Sequence, residues 1–288
     1  PGQTHKEDII TGCEAAVAGG VTAVACMPNT VPVVDNAETV KYIIRKSKGA
    51  KTKVYPVGCI TKGQNGEELC DYNELKAAGC VAVSDDGKPV LNARLLARAM
   101  VKAHYAGLRV ISHCEDPQVI AGGIMNSGEV SKELGIKGMH RISEDISTAR
   151  EIVIAGDLEM PIHIAHVSTA TSMLLVRLGA RYGAMVTSET APHYFMLTDE
   201  KLRLRDADYR MNPPLRPEDD VTAITEGVCD GTIDCIVTDH APHAPEEKAD
   251  FEKAPNGVIG LETSLAATLT ALYHRGKISL KRIVRLMC

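Results

Sequence analysis

Toward its C-terminal end the chain reads Asp234-Cys235-Ile236-Val237-Thr238-Asp239-His240-Ala241-Pro242-His243, an apolar run halted by a carboxylate and two imidazoles. Buried strands ordinarily end in residues that turn cheaply, such as Gly, Asn or Ser. Asp and His at that place are groups for metal or proton chemistry, although an Asx-turn at Asp239 alone accounts for the carboxylate equally well. Asp86, His113 and His166 likewise stand just after apolar runs. Singly each has a plain reading: Asp85-Asp86-Gly87 is a good turn formula, and an isolated His after a strand is usually a hydrogen-bonded loop residue. Jointly, two imidazoles and two carboxylates are a zinc-type ligand set. Gathering ionisable groups costs stability, so their convergence would need a function to maintain it. A metal there would lower the pKa of water and leave a nearby carboxylate to shuttle its proton. His193 reads either as a ligand or as a donor behind one, whereas His5, His104, His140 and His274 read as solvated.

Such residues need a frame that brings them together. Short apolar runs at 22–27, 53–60, 80–84, 109–112, 161–165, 184–188 and 235–238 alternate with segments of helical period such as 36–48 and 92–106. This alternation predicts repeated βα units on a parallel sheet. Six of the seven runs lead into a ligand-type or hydrogen-bonding residue: Asn29, Asp86, His113, His166, His193 or Asp239. A doubly wound open sheet gathers residues mainly around one switch point. In a (β/α)8 barrel every strand delivers its C-terminal end to one mouth. The expected fold is therefore an α/β (β/α)8 TIM barrel over residues 1–288, read as one domain. Seven runs leave one strand unaccounted for. The chain opens on Pro1 without Met and stops inside a helix-like pattern at 283–288, so it is expected to be truncated at both ends.

Composition narrows the function classes. The 288 residues are 44% hydrophobic but only 3% aromatic, with no Trp, which suits a core of Val, Ile, Leu, Ala and Met. Net charge is −5 with acids and bases interspersed, so no basic stripe invites nucleic acid, and a small-molecule partner is expected. Nine Cys without C-x-x-C spacing read as reduced, buried residues of a cytoplasmic protein. No apolar stretch is long enough to span a membrane.

Several segments together resemble the type I dihydroorotases of the amidohydrolase superfamily. They are Pro1-Gly2-Gln3-Thr4-His5-Lys6-Glu7-Asp8, Ala18-Gly19-Gly20-Val21-Thr22, Met27-Pro28-Asn29-Thr30, Ser84-Asp85-Asp86-Gly87, Ser112-His113-Cys114-Glu115-Asp116, His166-Val167-Ser168-Thr169, Thr190-Ala191-Pro192-His193, Met211-Asn212-Pro213-Pro214-Leu215-Arg216, Thr238-Asp239-His240-Ala241-Pro242-His243 and Gly257-Val258-Ile259-Gly260-Leu261-Glu262-Thr263. Met27-Pro28-Asn29-Thr30 favours dihydroorotase over the allantoinases and hydantoinases, which are similar elsewhere.

The resemblance implies reversible cyclisation of N-carbamoyl-L-aspartate to dihydroorotate, with one or two Zn2+ ions. His113 and His166 would bind one zinc ion, Asp86 would bridge or approach both, and Asp239 would bind the other while moving a proton. Asn29, Asn212 and His243, with main-chain groups near Gly257, would hold the substrate. The charged segment 244–255 reads as a loop beside the mouth, either a lid or a plain surface loop. A homodimer is expected, as is association with a transcarbamoylase. Against the family pattern, the His-x-His pair and Arg of the first strand are absent, as are a terminal small β domain and a bridging Lys in 80–86, so this chain alone is expected to be inactive. The alternatives are another cyclic amidohydrolase and a non-catalytic scaffold, which would need none of the four ligand candidates.

Overall fold

The computed structural model describes residues 2–288, which fall into two compact units. The first comprises the chain up to His113, Arg150–Ile164 and Gly179–Val186; the second comprises Cys114–Ala149, Ala165–Leu178 and Thr187–Cys288.

In the first unit, strands β1 (Ala23–Cys26), β2 (Lys53–Gly58), β3 (Ala82–Val83) and β4 (Arg109–Ser112) are separated by helices Ala37–Lys46, Tyr72–Ala78 and Ala93–Tyr105. Each of these helices starts at a side-chain cap readable in the sequence. Asn36 accepts from Thr39 N at 3.0 Å, Asp71 from Glu74 N at 3.0 Å and Asn92 from Leu95 N at 3.1 Å. The strands pair in parallel in chain order, Ala23 opposite Lys53, Val57 opposite Ala82 and Ala82 opposite Arg109. Two further short strands, β5 (Met125–Asn126) and β6 (Gly138–Met139), pair with each other in the second unit. Strand β7 (Ile162–Ile164) returns to the first unit and pairs with β4, Val110 opposite Ile162. Its core is the aliphatic set the composition calls for, with Val57, Leu75, Val83, Leu96, Met100 and Ile162 buried. Strand β1 forms one edge of this sheet, with Ala23 and Ala25 exposed.

In the second unit, the last residues of β8 (Val186–Thr190) pair in parallel with β9 (Cys235–Ile236), Glu189 opposite Cys235. Helices Pro192–Met196 and Glu218–Asp230 lie between them in sequence, and Met125, Val130, Leu202, Phe251 and Ala254 form an apolar cluster. The first turns of helix Ile142–Leu158 are inverted relative to an ordinary surface helix. Ser143, Glu144, Ser147 and Thr148 are buried, whereas Ile142 and Ile146 are exposed. Polar partners account for part of this inversion, since Ser143 and Glu144 each hydrogen bond inside the unit.

All seven apolar runs become strands, with differences at their ends. The first β ladder positions of 80–84 and 235–238 hold for only two residues each, and 184–188 is displaced to Val186–Thr190. The periodicity missed β5 and β6, which are too short to show alternation. The nine Cys are free thiols, but the expectation that they are buried holds for Cys13, Cys59, Cys70, Cys80 and Cys114 and fails for Cys229 and Cys288, which are exposed; burial pushes Cys70 and Cys80 up to about 12. Among the described residues, no helix is long and apolar enough to cross a membrane.

Candidate active site

In the first unit the chain brings Asn29, Asp86 and His113 together. Asp86 follows β3 and His113 follows β4, so neighbouring parallel strands deliver them to the same end of the sheet. His113 Nδ1 lies 3.5 Å from Asp86 Oδ1, and Asn29 Nδ2 donates to Asp86 Oδ2 at 2.8 Å. His113 is buried and Asp86 is half-buried. The adjacent Asp85 turns the other way. Its buried carboxylate accepts from Ile60 N at 2.8 Å, from Thr61 N at 3.2 Å and from the Thr61 hydroxyl. Burial raises the pKa of Asp85 while those donors pull it down. One carboxylate of the pair thus holds the end of β2, and the other faces His113. Gly87, with φ of +73°, makes the turn that the triplet promises.

In the second unit, His166 and Asp239 share an uncommon backbone. Their φ values are +33° and +47°, a left-handed conformation that costs a non-Gly residue about 1–3 kcal/mol and persists only where neighbours over-determine it. Around Asp239, Ala241 N donates to Val258 O at 2.9 Å, and His240 Nδ1 accepts from Gly260 N at 3.0 Å. Gly260 is required there, since a Cβ would sit 2.9 Å from Thr238 O. His240 is therefore a structural clamp that holds segment 238–243 against 257–261.

His243 and Gly257 are neighbours. His243 Nε2 lies 2.9 Å from Asn256 O, and a Cβ on Gly257 would fall 2.7 Å from the same nitrogen. With φ of +147° as well, position 257 is closed to any other residue. Segment 244–255 contains the helical turn Pro245–Lys248 that its sequence did not suggest. It is pinned from inside: Lys248 Nζ donates to Ala207 O and Pro255 O at 3.0 Å and to Arg210 O at 3.3 Å, and Arg210 Nη1 donates to Phe251 O at 2.5 Å.

Asn212 Nδ2 donates to Glu115 Oε2 at 2.5 Å, and both line a shallow, solvent-open depression with His140, Glu144 and Arg216. Glu115, which strand-end reasoning passed over, is the partner that holds the Asn212 amide; its signal is the Cys-Glu pair that follows His113. His193 is buried, its Nε2 has no hydrogen-bond partner among the described residues, and burial, with a smaller contribution from nearby His166, holds its pKa down at about 3.

The fold is that of solved hydantoinases and dihydropyrimidinases. L-hydantoinase (dihydropyrimidinase) from Arthrobacter aurescens superposes with a TM-score of 0.86 over 100% of this chain and 66% of its own, at 23% identity. Dihydropyrimidinase from Brevibacillus agri superposes at 0.81, covering 98% of this chain and 64% of its own, at 20% identity. The class is therefore an α/β protein of the incomplete (β/α)8 barrel type. Sequence comparison narrows it. A family described as dihydro-orotase-like matches residues 1–172, and the dihydroorotases of Citrifermentans bemidjiense and Trichlorobacter lovleyi are 53% and 52% identical over 100% of the chain. This chain belongs to the dihydroorotase-like family. It spans 68% of the length of those two relatives.

Family membership implies a metal cofactor, and the donors present fit one. The buried His113 imidazole and the Asp86 carboxylate beside it at 3.5 Å are a pair of groups that oxygen- and nitrogen-loving cations take.

Proposed function

We propose that the protein is a dihydroorotase that interconverts N-carbamoyl-L-aspartate and dihydroorotate, with Zn2+, one or two ions, as its metal. The observation that carries this reading is the 53% identity to a dihydroorotase over the whole chain. Hydantoinases share the fold at 19–23% identity, a likeness that speaks to architecture alone. On this proposal residues 1–288 form one barrel domain, and Asp86, His113, His166 and Asp239 hold the metal. A cytoplasmic location, a homodimer and association with a transcarbamoylase belong to the same reading.

The bound metal supplies Lewis acidity at the amide carbonyl and a more acidic water. The chain's own residues do the rest. Asp239, fixed by its clamped neighbours, takes a proton in the hydrolytic direction and returns it to the leaving ring nitrogen. Asn29 orients Asp86 through its 2.8 Å bond and offers its remaining amide atoms to substrate. Asn212, locked by Glu115, presents its carbonyl oxygen to a ring N–H. His243 and the main chain at Gly257 receive the substrate's carboxylate and carbonyl. The scaffold alternative gives no reason for assembling these groups.

The test is turnover of dihydroorotate, hydantoin, dihydrouracil and allantoin by the full-length protein. Dihydroorotate should be preferred in kcat/KM on the order of 100-fold or more, because a site built for a ring carboxylate rejects rings that lack one. Comparable rates on hydantoin would overturn the assignment.

A further inference from the structure

We propose that Glu144 and Arg216 are positioning residues for His166, holding its left-handed backbone so that the imidazole is set for the metal; this rests on the proposed role of His166 as a ligand. Helix Ala170–Arg181 begins just after His166 and is capped locally, with Thr169 Oγ1 accepting from Ser172 N at 3.0 Å. The peptides between His166 and that cap are held from another helix. Glu144 Oε1 accepts from Ser168 N at 2.9 Å and from Thr169 N at 3.2 Å, while Glu144 Oε2 accepts from the Ser168 hydroxyl. Arg216 closes the cluster. Its Nη2 donates to Glu144 Oε2 at 3.1 Å, its Nε to Ser168 Oγ at 3.0 Å and its Nη1 to Asn126 Oδ1 at 3.0 Å. Asn126 in turn donates to Asp199 Oδ2 at 3.0 Å.

All of these side chains are buried. Upstream of Ser168, Val167 N donates to Glu189 O at 2.8 Å and Val167 O accepts from the Thr190 hydroxyl at 2.9 Å. The residues directly after His166 are therefore fixed on both faces, by β8 on one and by Glu144 on the other. A φ of +33° at a histidine relaxes unless its neighbours forbid it, and Glu144 is the group that ties down two consecutive peptides there. An ion pair serving stability alone would need no bonds to the main chain beside a ligand. Residues behind a ligand typically change metal affinity 10–100-fold when removed.

The test uses the full-length protein with Glu144→Gln and Ser168→Ala. Zinc affinity is measured by chelator competition, site geometry by the absorption of the cobalt(II)-substituted protein, and folding by far-UV circular dichroism. Glu144→Gln should remain folded, bind zinc about 10–100-fold more weakly, alter the cobalt bands and lower kcat with KM held within about threefold. Ser168→Ala should move the same way by about three- to tenfold, and decides the matter if Glu144→Gln does not fold. Wild-type zinc affinity and an unchanged cobalt spectrum in both variants, whatever their melting points, would overturn the proposal, as would a wild-type protein that binds no zinc. Should wild type bind zinc yet leave dihydroorotate untouched, the functional reading fails while the affinity and cobalt measurements still decide the positioning role.

Discussion

Replacing His193 by Gln isolates the pH cost of one buried imidazole. In the folded chain its pKa is held down at about 3, against 6.5 for the free side chain, chiefly because burial penalises the cation. The sign follows from proton counting. Below 6.5 the unfolded chain takes up a proton that the native chain refuses, so stability falls with falling pH between 6.5 and about 3 and is unaffected by this group above 6.5. Each pH unit in that window costs about 1.4 kcal/mol, which is about 2 kcal/mol by pH 5. Urea unfolding of the metal-free, full-length protein at pH 8 and pH 5 reads this directly. Wild type should lose about 2 kcal/mol more than His193→Gln over that interval. Equal losses would show that His193 is solvated or paired in solution and would refute the buried, unpartnered placement.

Other perturbations separate structural from chemical roles. Asp85→Ala strands three buried donors at Ile60 and Thr61 and should lower unfolding free energy by about 3 kcal/mol or more, measured in denaturant. Lys248→Met removes the cation that pins segment 244–255 to Ala207, Arg210 and Pro255; amide exchange there should quicken, and KM should rise about three- to tenfold with kcat nearly unchanged. Asp239→Asn should lower kcat about 100- to 10,000-fold, whereas His243→Ala should act mainly on KM, as steady-state kinetics in both directions will show.

Much of the fold was legible because its signals are local. The aliphatic runs, the caps at Asn36, Asp71 and Asn92 and the glycine after Asp86 each act within a few residues of themselves. The polar strand ends were legible for the same reason, since a ligand-type residue after an apolar run breaks a local rule. What stayed hidden depends on partners distant in sequence. Asp85 and Asp86 are the same residue type side by side, and only distant partners tell them apart, Ile60 and Thr61 at Asp85 and Asn29 at Asp86. Glu144 lies on a helix whose apolar period points outward, so periodicity places it on the wrong face until Arg216 arrives to pair with it. The left-handed backbone at His166 and Asp239 has no signature in composition, because it is imposed by the segments packed around each residue. Lys248 read as a charge in a polar loop, whereas three carbonyl oxygens draw it inward and burial depresses its pKa.

On the proposed reading, Asp86, His113, His166 and Asp239 build one metal centre that carries the reaction. Zinc titration of chelator-stripped, full-length protein, following bound metal and dihydroorotate turnover on the same samples, tests it most directly. Activity should return in proportion to zinc bound in the wild type, and His113→Ala and His166→Ala should each lose both together. Full activity in stripped protein, or either variant keeping wild-type zinc content and turnover, would contradict it.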